Sequence, residues 1–279
     1  MTDPKAWDRC PPEGPPALAL ITGCPRSGTS ILGELVGTLE GVDYRFEPGH
    51  PWWPWGNGAG LGGSDRLTES DVIRSRGAQR WLEEQDGPVV VEKSPRMVMA
   101  TRLHRAIFPG VKIIHIVRDG RDVACSLVPG LSAPRHARGH VAWNHVRVPN
   151  WPMILDATEP DAIRGAHVWS LAMSIALADL KGTEHCQVRY EDLVEDAEGE
   201  LRRVARFLGV SVGETTKEAC ERVSDRPGEQ EAAQQTRWHV PHERHVGRWR
   251  DLPDDVAAEV DRITRKERAA LGYSSGNPT

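Results

Sequence analysis

An α/β fold with a central parallel sheet and helices on both faces is predicted by three features of the sequence. Short continuous apolar runs, chief among them Ala17–Thr22 and Lys112–Val117, read as strands buried on both faces. Stretches of helical periodicity alternate with these runs, as the crossovers between parallel strands require. The first run breaks at Gly23 into a glycine-bearing turn and then a helical pattern, so that backbone N–H groups are presented at a helix start.

The elements follow in order. Residues 1–16 are proline-rich and polar and read as a flexible arm, leaving 17–279 as a single domain. After the turn, Ile31, Leu32, Leu35, Val36 and Leu39 recur at helical spacing, and the helix is expected to end near Gly41. Residues 48–65, rich in glycine, proline and tryptophan, read as an irregular loop. A helix is expected over 68–84, with Thr68 and Asp71 at its capped start. Then come a short strand at 89–92, a helix over 95–108 stopped by Pro109-Gly110, and the buried strand at 112–117. The helix over 119–128 is expected to close at Pro129-Gly130. Residues 131–160 lack periodicity and read as a lid or loop. A long helix over 161–181, a strand over 187–190 and a helix marked by Val194, Ala197, Leu201, Val204, Ala205 and Leu208 follow. A turn region at 224–236 and a closing helix over 254–271 complete the chain.

Composition narrows the function. A net charge of −5 provides no global basic field for nucleic acid, so any anion site must be local. Five scattered cysteines without a Cys-x-x-Cys pair fit a reducing compartment better than a disulfide scaffold or a zinc site. No signal peptide or long apolar stretch is visible, so a soluble cytoplasmic protein is the expectation, with no membrane partner.

Gly23 and Gly28 stand at the spacing of a nucleotide-binding loop, but Thr29 and Ser30 follow where a lysine would bridge β- and γ-phosphates. The cation lies inside the loop as Arg26. This argues against ordinary ATP hydrolysis and for a 5′ phosphate carrying something other than further phosphates. A kinase would also need an acidic strand end where Arg118 stands. Arg118, Asp122 and Ser126 share one helix face, so Arg118 and Ser126 can grip a second phosphate. Alternatively, Arg118 pairs with Asp122 and Ser126 faces solvent.

Pro25–Ser30, Glu92-Lys93-Ser94-Pro95, Ile116–Leu127, Tyr190-Glu191-Asp192-Leu193 and Gly247-Arg248-Trp249 occur in the order seen in sulfotransferases. Over residues 17–250 the chain resembles that family, and within it the bacterial group related to the tyrosylprotein and carbohydrate enzymes. The resemblance implies a P-loop-containing three-layer fold. It also implies 3′-phosphoadenosine 5′-phosphosulfate (PAPS) as sulfuryl donor, PAP as product, no metal, and a possible homodimer. Arg26, Ser27, Gly28, Thr29 and Ser30 would cradle the phosphosulfate, and Arg118 and Ser126 would hold the 3′-phosphate. Tyr190 would lie near the base, unless it is a core tyrosine at a strand end. The family's basic Arg-Lys-Gly run is replaced here by His242-Glu243-Arg244-His245-Val246-Gly247. Gly247 and Trp249 match, and Arg244, His245 or Arg248 would complete the phosphate site.

Two residues after Lys93, where the aryl and steroid branch carries a histidine, this chain has Pro95. The related branch uses a glutamate on the segment after the first helix, which makes Glu47 the candidate base; a salt bridge to Arg45 or Arg26 is the alternative. Phe46 and Trp52–Trp55 would raise its pKa by desolvation. Lys93 would stabilise charge as the donor bond breaks, with Arg26 assisting. His50 is the reserve base, and His140, His145 and His167 are others that the lid would bring in. Trp52, Trp53, Trp55, Trp143 and Trp151 can stack on a sugar or a flat apolar ring, or can be local core. The expected acceptor is a hydroxyl of a small molecule, natural product or carbohydrate. A PAPS-binding protein without catalysis is the rival reading, and it would tolerate alanine at Glu47 and Lys93.

Overall fold

The computed structural model describes residues 16–47, 69–85, 87–99, 101–132, 159–224 and 246–273. The expected N-terminal arm, the loop after residue 47 and the segment read as a lid lie almost wholly outside these residues. So do His50, Trp52, Trp53, Trp55, His140, Trp143, His145, Trp151 and Arg244.

Five parallel strands form the sheet: β1 (Ala17–Thr22), β2 (Val42–Phe46), β3 (Val89–Lys93), β4 (Lys112–Val117) and β5 (Cys186–Arg189), in the order β2-β3-β1-β4-β5. The helices are α1 (Thr29–Val36), α2 (Glu69–Glu83), α3 (Thr101–Ile107), α4 (Gly120–Ser132), α5 (Asp161–Leu180), α6 (Tyr190–Glu195), α7 (Ala197–Leu208), α8 (Glu214–Ser224) and α9 (Asp254–Ala270). The two-residue alternation of the strands sorts their side chains into two cores. Ala19, Ile21, Val91, Ile114, Ile116 and Val188 pack against Leu32 and Val36 of α1, Leu193 of α6 and Leu201 of α7. On the other face Leu18, Leu20, Val90 and Ile113 meet Ala78 and Leu82 of α2, Ile107 of α3 and Phe108. Val117 joins Val123 and Leu127 of α4 with Trp169 and Met173 of α5. The result is the three-layer arrangement expected from the sequence.

Several elements differ from expectation. β2 is a strand where no strand was expected; Asp43 and Arg45 break the apolar run, and every residue of this edge strand keeps some exposure. It is seated by Tyr44, whose ring lies along α1: a Cβ at Gly33 would stand 2.2 Å from the Tyr44 hydroxyl oxygen, and one at Gly37 3.0 Å from Tyr44 Cβ. α1 ends at Val36, with Gly37 as its C-cap, rather than near Gly41. The helix expected over 95–108 is a 3₁₀ turn, Pro95–Met99, followed by α3. α4 continues through Pro129-Gly130 to Ser132; an interior proline forfeits one backbone hydrogen bond without ending the helix. The helix expected behind β5 is two helices, because the Asp196 carboxylate accepts from Gly199 N at 2.8 Å and starts α7 afresh. Tyr190 opens α6 instead of closing the strand, and α8 was not expected.

β1 runs on through α1 to β2 on one side, whereas β3 crosses to β4 on the other. The carboxyl ends of β1 and β4 therefore flank the reversal in strand order, where open α/β sheets bind ligands.

Candidate active site

The turn from β1 into α1 is shaped by two glycines that admit no side chain. A Cβ on Gly23 would lie 2.5 Å from the Ile116 carbonyl oxygen, so β4 can approach only a glycine here. Gly28 has φ +95°, and a Cβ on it would lie 2.6 Å from Cδ2 of Tyr190. Arg26 also adopts the left-handed region, at φ 73°, and Ser27 N donates to Cys24 O at 3.0 Å to close the turn. α1 begins without a side-chain cap and without an acidic residue in its first turn. Its opening N–H groups and positive dipole end thus face the turn. The Ser27 hydroxyl is buried with no hydrogen-bond partner, an arrangement costing about 1–3 kcal/mol unless a ligand or water completes it. Thr29 is buried beside it, and Arg26 is exposed.

Beside this turn, β2 and β3 bring together Glu47, Lys93 and Ser30. The register pairs Phe46 with Lys93, and the ladder extends one residue further through Glu47 N donating to Lys93 O at 2.9 Å. Lys93 is fully buried. Its ammonium donates to Glu47 Oε1 at 2.8 Å and Ser30 Oγ at 3.0 Å, and lies 3.9 Å from the centroid of the Phe46 ring. Burial lowers the Lys93 pKa, and the Glu47 carboxylate opposes that shift. Glu47 is held at φ 39°, a strained value for a residue with a side chain. Its salt-bridge partner is Lys93; Arg45, one of the two partners considered, pairs with Asp43 at 2.6 Å instead. The apolar enclosure expected around Glu47 is open among the described residues: its side chain is 38% exposed and Phe46 is 53% exposed.

Across the turn, Arg118 leaves the end of β4 with Nη1 donating to Arg26 O at 3.1 Å, its guanidinium 4.5 Å from the Tyr190 ring centroid. Tyr190 is buried beneath the turn, against Gly28 and Arg118. The Ser126 hydroxyl donates within its own helix, to Asp122 O at 3.2 Å and Val123 O at 3.3 Å. The Asp122 carboxylate accepts from Gly247 N at 2.8 Å and Trp249 N at 3.2 Å, and so clasps the Arg248–Asp251 3₁₀ turn onto α4. Burial raises the Asp122 pKa, opposed by these bonds and by Arg118. Trp249 lies under the Arg121 guanidinium at 4.0 Å, and Arg121 is itself paired with Asp119 at 2.7 Å.

The Asp122 clasp and the Lys93–Ser30 bond are absent from the sequence reading. The i, i+4 spacing signalled that Asp122 faced Arg118 and Ser126, but not that its carboxylate reaches a segment far along the chain. His167 belongs to α5 rather than to a lid, and it is influenced by Glu259 and Arg262 of α9; burial lowers its pKa. Among the described residues no group of His, Cys, Asp and Glu could hold a metal ion, and no helix is long and apolar enough to cross a membrane.

A family model described as "Sulfotransferase family" matches residues 64–214, more than half of the chain. The chain belongs to the sulfotransferase family. It is 26% identical over 223 residues to the nodulation protein NoeE of Sinorhizobium fredii, covering 70% of this chain and 50% of NoeE. The chain thus spans about half the length of this curated relative. Among solved structures, the sulfotransferase domain from the curacin biosynthetic pathway is similar at a TM-score of 0.57 and 19% identity, over 93% of this chain and 98% of that one. The corresponding domain of the Synechococcus PCC 7002 olefin synthase gives 0.56 and 17%, over 95% and 98%. These likenesses identify a shared fold.

Proposed function

We propose that this sulfotransferase-family chain moves the sulfuryl group of PAPS to an acceptor hydroxyl on a small molecule, natural product or carbohydrate, by in-line displacement. One observation carries the reading. An uncapped helix start with a buried, unpartnered Ser27 hydroxyl stands beside a buried lysine that already holds a carboxylate, at the carboxyl ends of adjacent strands. The first half suits an anion, and the second suits proton removal beside a cation.

The donor enters as a substrate. The turn and the first residues of α1 (Arg26, Ser27, Gly28, Thr29 and Ser30) would receive its phosphosulfate end, and Arg118 and Ser126 its 3′-phosphate. Ser126 can turn outward by rotating about χ1, since its hydroxyl is engaged only with carbonyls of its own helix. Glu47 accepts the acceptor's proton as the new O–S bond forms. Lys93 donates a hydrogen bond to the oxygen that takes the electron pair of the breaking S–O bond, with Arg26 assisting from the turn. The ion pair keeps both groups aligned before substrates arrive, which reduces the reorganisation needed at the reacting centre.

Thermal unfolding with PAP, ADP and AMP, without added metal, tests the donor. Ligand at about 100 times its Kd should stabilise the fold by about 2.7 kcal/mol. A shift with PAP alone is expected; a shift with ADP alone, or with none of the three, overturns the reading. Release of PAP from PAPS in the presence of a panel of hydroxyl acceptors then defines the acceptor class.

A further inference from the structure

Phe46 and Lys93 are partners in the register of β2 and β3, so their side chains leave the sheet on the same face. That face is the one covered by α1, along which Tyr44, two residues before Phe46, is seated. There the Phe46 ring lies over the Lys93 ammonium, its centroid 3.9 Å from Nζ. Strand alternation would send the next side chain, that of Glu47, to the opposite face. The left-handed φ of 39° at Glu47 cancels that alternation, and its Oε1 stands 2.8 Å from the same nitrogen. A ring and a carboxylate on consecutive residues thus converge on one buried cation. An aromatic ring has two faces, and the ammonium occupies only one of them. Phe46 is nevertheless 53% exposed, and with Val246 it is one of two exposed large apolar side chains among the described residues. Because Lys93 itself is fully buried, the exposed part of the ring is the side turned away from it. A solitary exposed phenylalanine is ordinary on a protein surface. This one borders the carboxylate that would take the acceptor's proton, and the cation behind it leaves its outer face less negative and more receptive to an electron-rich ring.

We infer that Phe46 is a specificity-determining residue whose outer face receives a flat aromatic ring of the acceptor, with the hydroxyl beside that ring directed to Glu47. This rests on the transfer reading above. The inner face keeps the ammonium beside Glu47 when Ser30, now bonded to Lys93 at 3.0 Å, turns its hydroxyl to the phosphosulfate and releases one N–H for the donor oxygen. One side chain then holds the cation on one side and reads the acceptor on the other.

Sulfuryl transfer from PAPS to benzyl alcohol and to cyclohexylmethanol tests the inference, since the two primary alcohols share a carbon skeleton and differ in the flat aromatic ring. The unaltered chain should favour benzyl alcohol in kcat/KM by about 2- to 10-fold, the range of one aromatic pair expressed as a ratio. Phe46→Leu should bring the ratio close to 1, and Phe46→Trp should keep or widen it. A disturbance of Lys93 alone would lower kcat for both alcohols together and leave the ratio where it was, so the ratio separates reading the acceptor from holding the lysine. PAP affinity, measured by calorimetric titration, should stay within a few-fold in all three proteins. A ratio near 1 in the unaltered chain, a ratio that Phe46→Leu leaves unchanged, or transfer to neither alcohol by a chain that binds PAP overturns the inference while leaving the donor reading standing. Should Phe46→Leu fail to fold, Phe46→Trp decides, because loss of the preference for benzyl alcohol in that variant also overturns it. Failure of the unaltered chain to bind PAP removes both.

Discussion

Replacing Gly28 with alanine isolates how tightly the turn from β1 into α1 is built onto the core. Two penalties combine there. The residue sits at φ +95°, where a side chain costs about 1–2 kcal/mol. The new Cβ would also stand 2.6 Å from Cδ2 of Tyr190, a ring only 1% exposed and hemmed in by Arg118, so relief requires movement in a packed core. Overpacking of this kind costs about 1–3 kcal/mol. Gly182 provides the internal control: its φ is +70°, and a Cβ there meets nothing within 4 Å. Gly182→Ala should therefore show only the first penalty, about 1–2 kcal/mol, and Gly28→Ala about 2–5 kcal/mol. Urea unfolding of both variants, compared at equal m, gives the difference directly. Equal destabilisation, or a milder effect at Gly28, would show that Tyr190 does not support the turn and would refute the packing argument.

Glu47→Ala should abolish sulfuryl transfer while leaving PAP affinity within a few-fold, measured by PAP release and by titration; joint loss of both would make Glu47 a structural residue. Arg118→Ala should weaken PAP by about 1.5–3 kcal/mol and AMP by less. Equal losses would assign its main role to the bond with the Arg26 carbonyl. His115, buried in β4, has its pKa lowered to about 4, chiefly by burial and secondarily by His185. The unfolded chain takes up this proton near pH 6.5 and the folded one only near 4, so stability should fall as pH drops through that window, by up to about 3 kcal/mol. Unfolding free energies of His115→Gln measured across the window should show a shallower slope; an unchanged slope would place the acid sensitivity elsewhere.

What the sequence disclosed follows from what is local. The central strands were legible because Ala17–Thr22 and Lys112–Val117 are buried on both faces and so run apolar without interruption. The turn from β1 into α1 was legible because positive φ at Gly28 and the close approach of β4 at Gly23 each demand glycine. β2 was not, because its signal lies in Gly33 and Gly37, which make room for Tyr44 from inside a different element. The pairing of Glu47 with Lys93 depends on strand register, and the reach of Asp122 to Gly247 depends on how α4 meets a turn more than a hundred residues later. Neither leaves a pattern in its own neighbourhood. Pro129 misled for the opposite reason: its local signal was plain, and the helix continued through it.

On the proposed reading, the placement of Glu47 bears on how acceptors can be exchanged. The carboxylate rides on the last hydrogen-bonded position of the outermost strand of the described sheet, tied by its own N–H to Lys93 O, while Tyr44 keys that strand into α1. Among the described residues, what holds Glu47 is β2 itself, α1 and the end of β3. Changes of length or side chain in the segment that begins at Pro48 should therefore leave Glu47 in place on this reading, and unaltered PAP binding in such variants would check this. On that reading the chemistry rests on Glu47 and Lys93, held by the sheet, and the segment after residue 47 is the place to graft a different acceptor preference onto an unchanged frame.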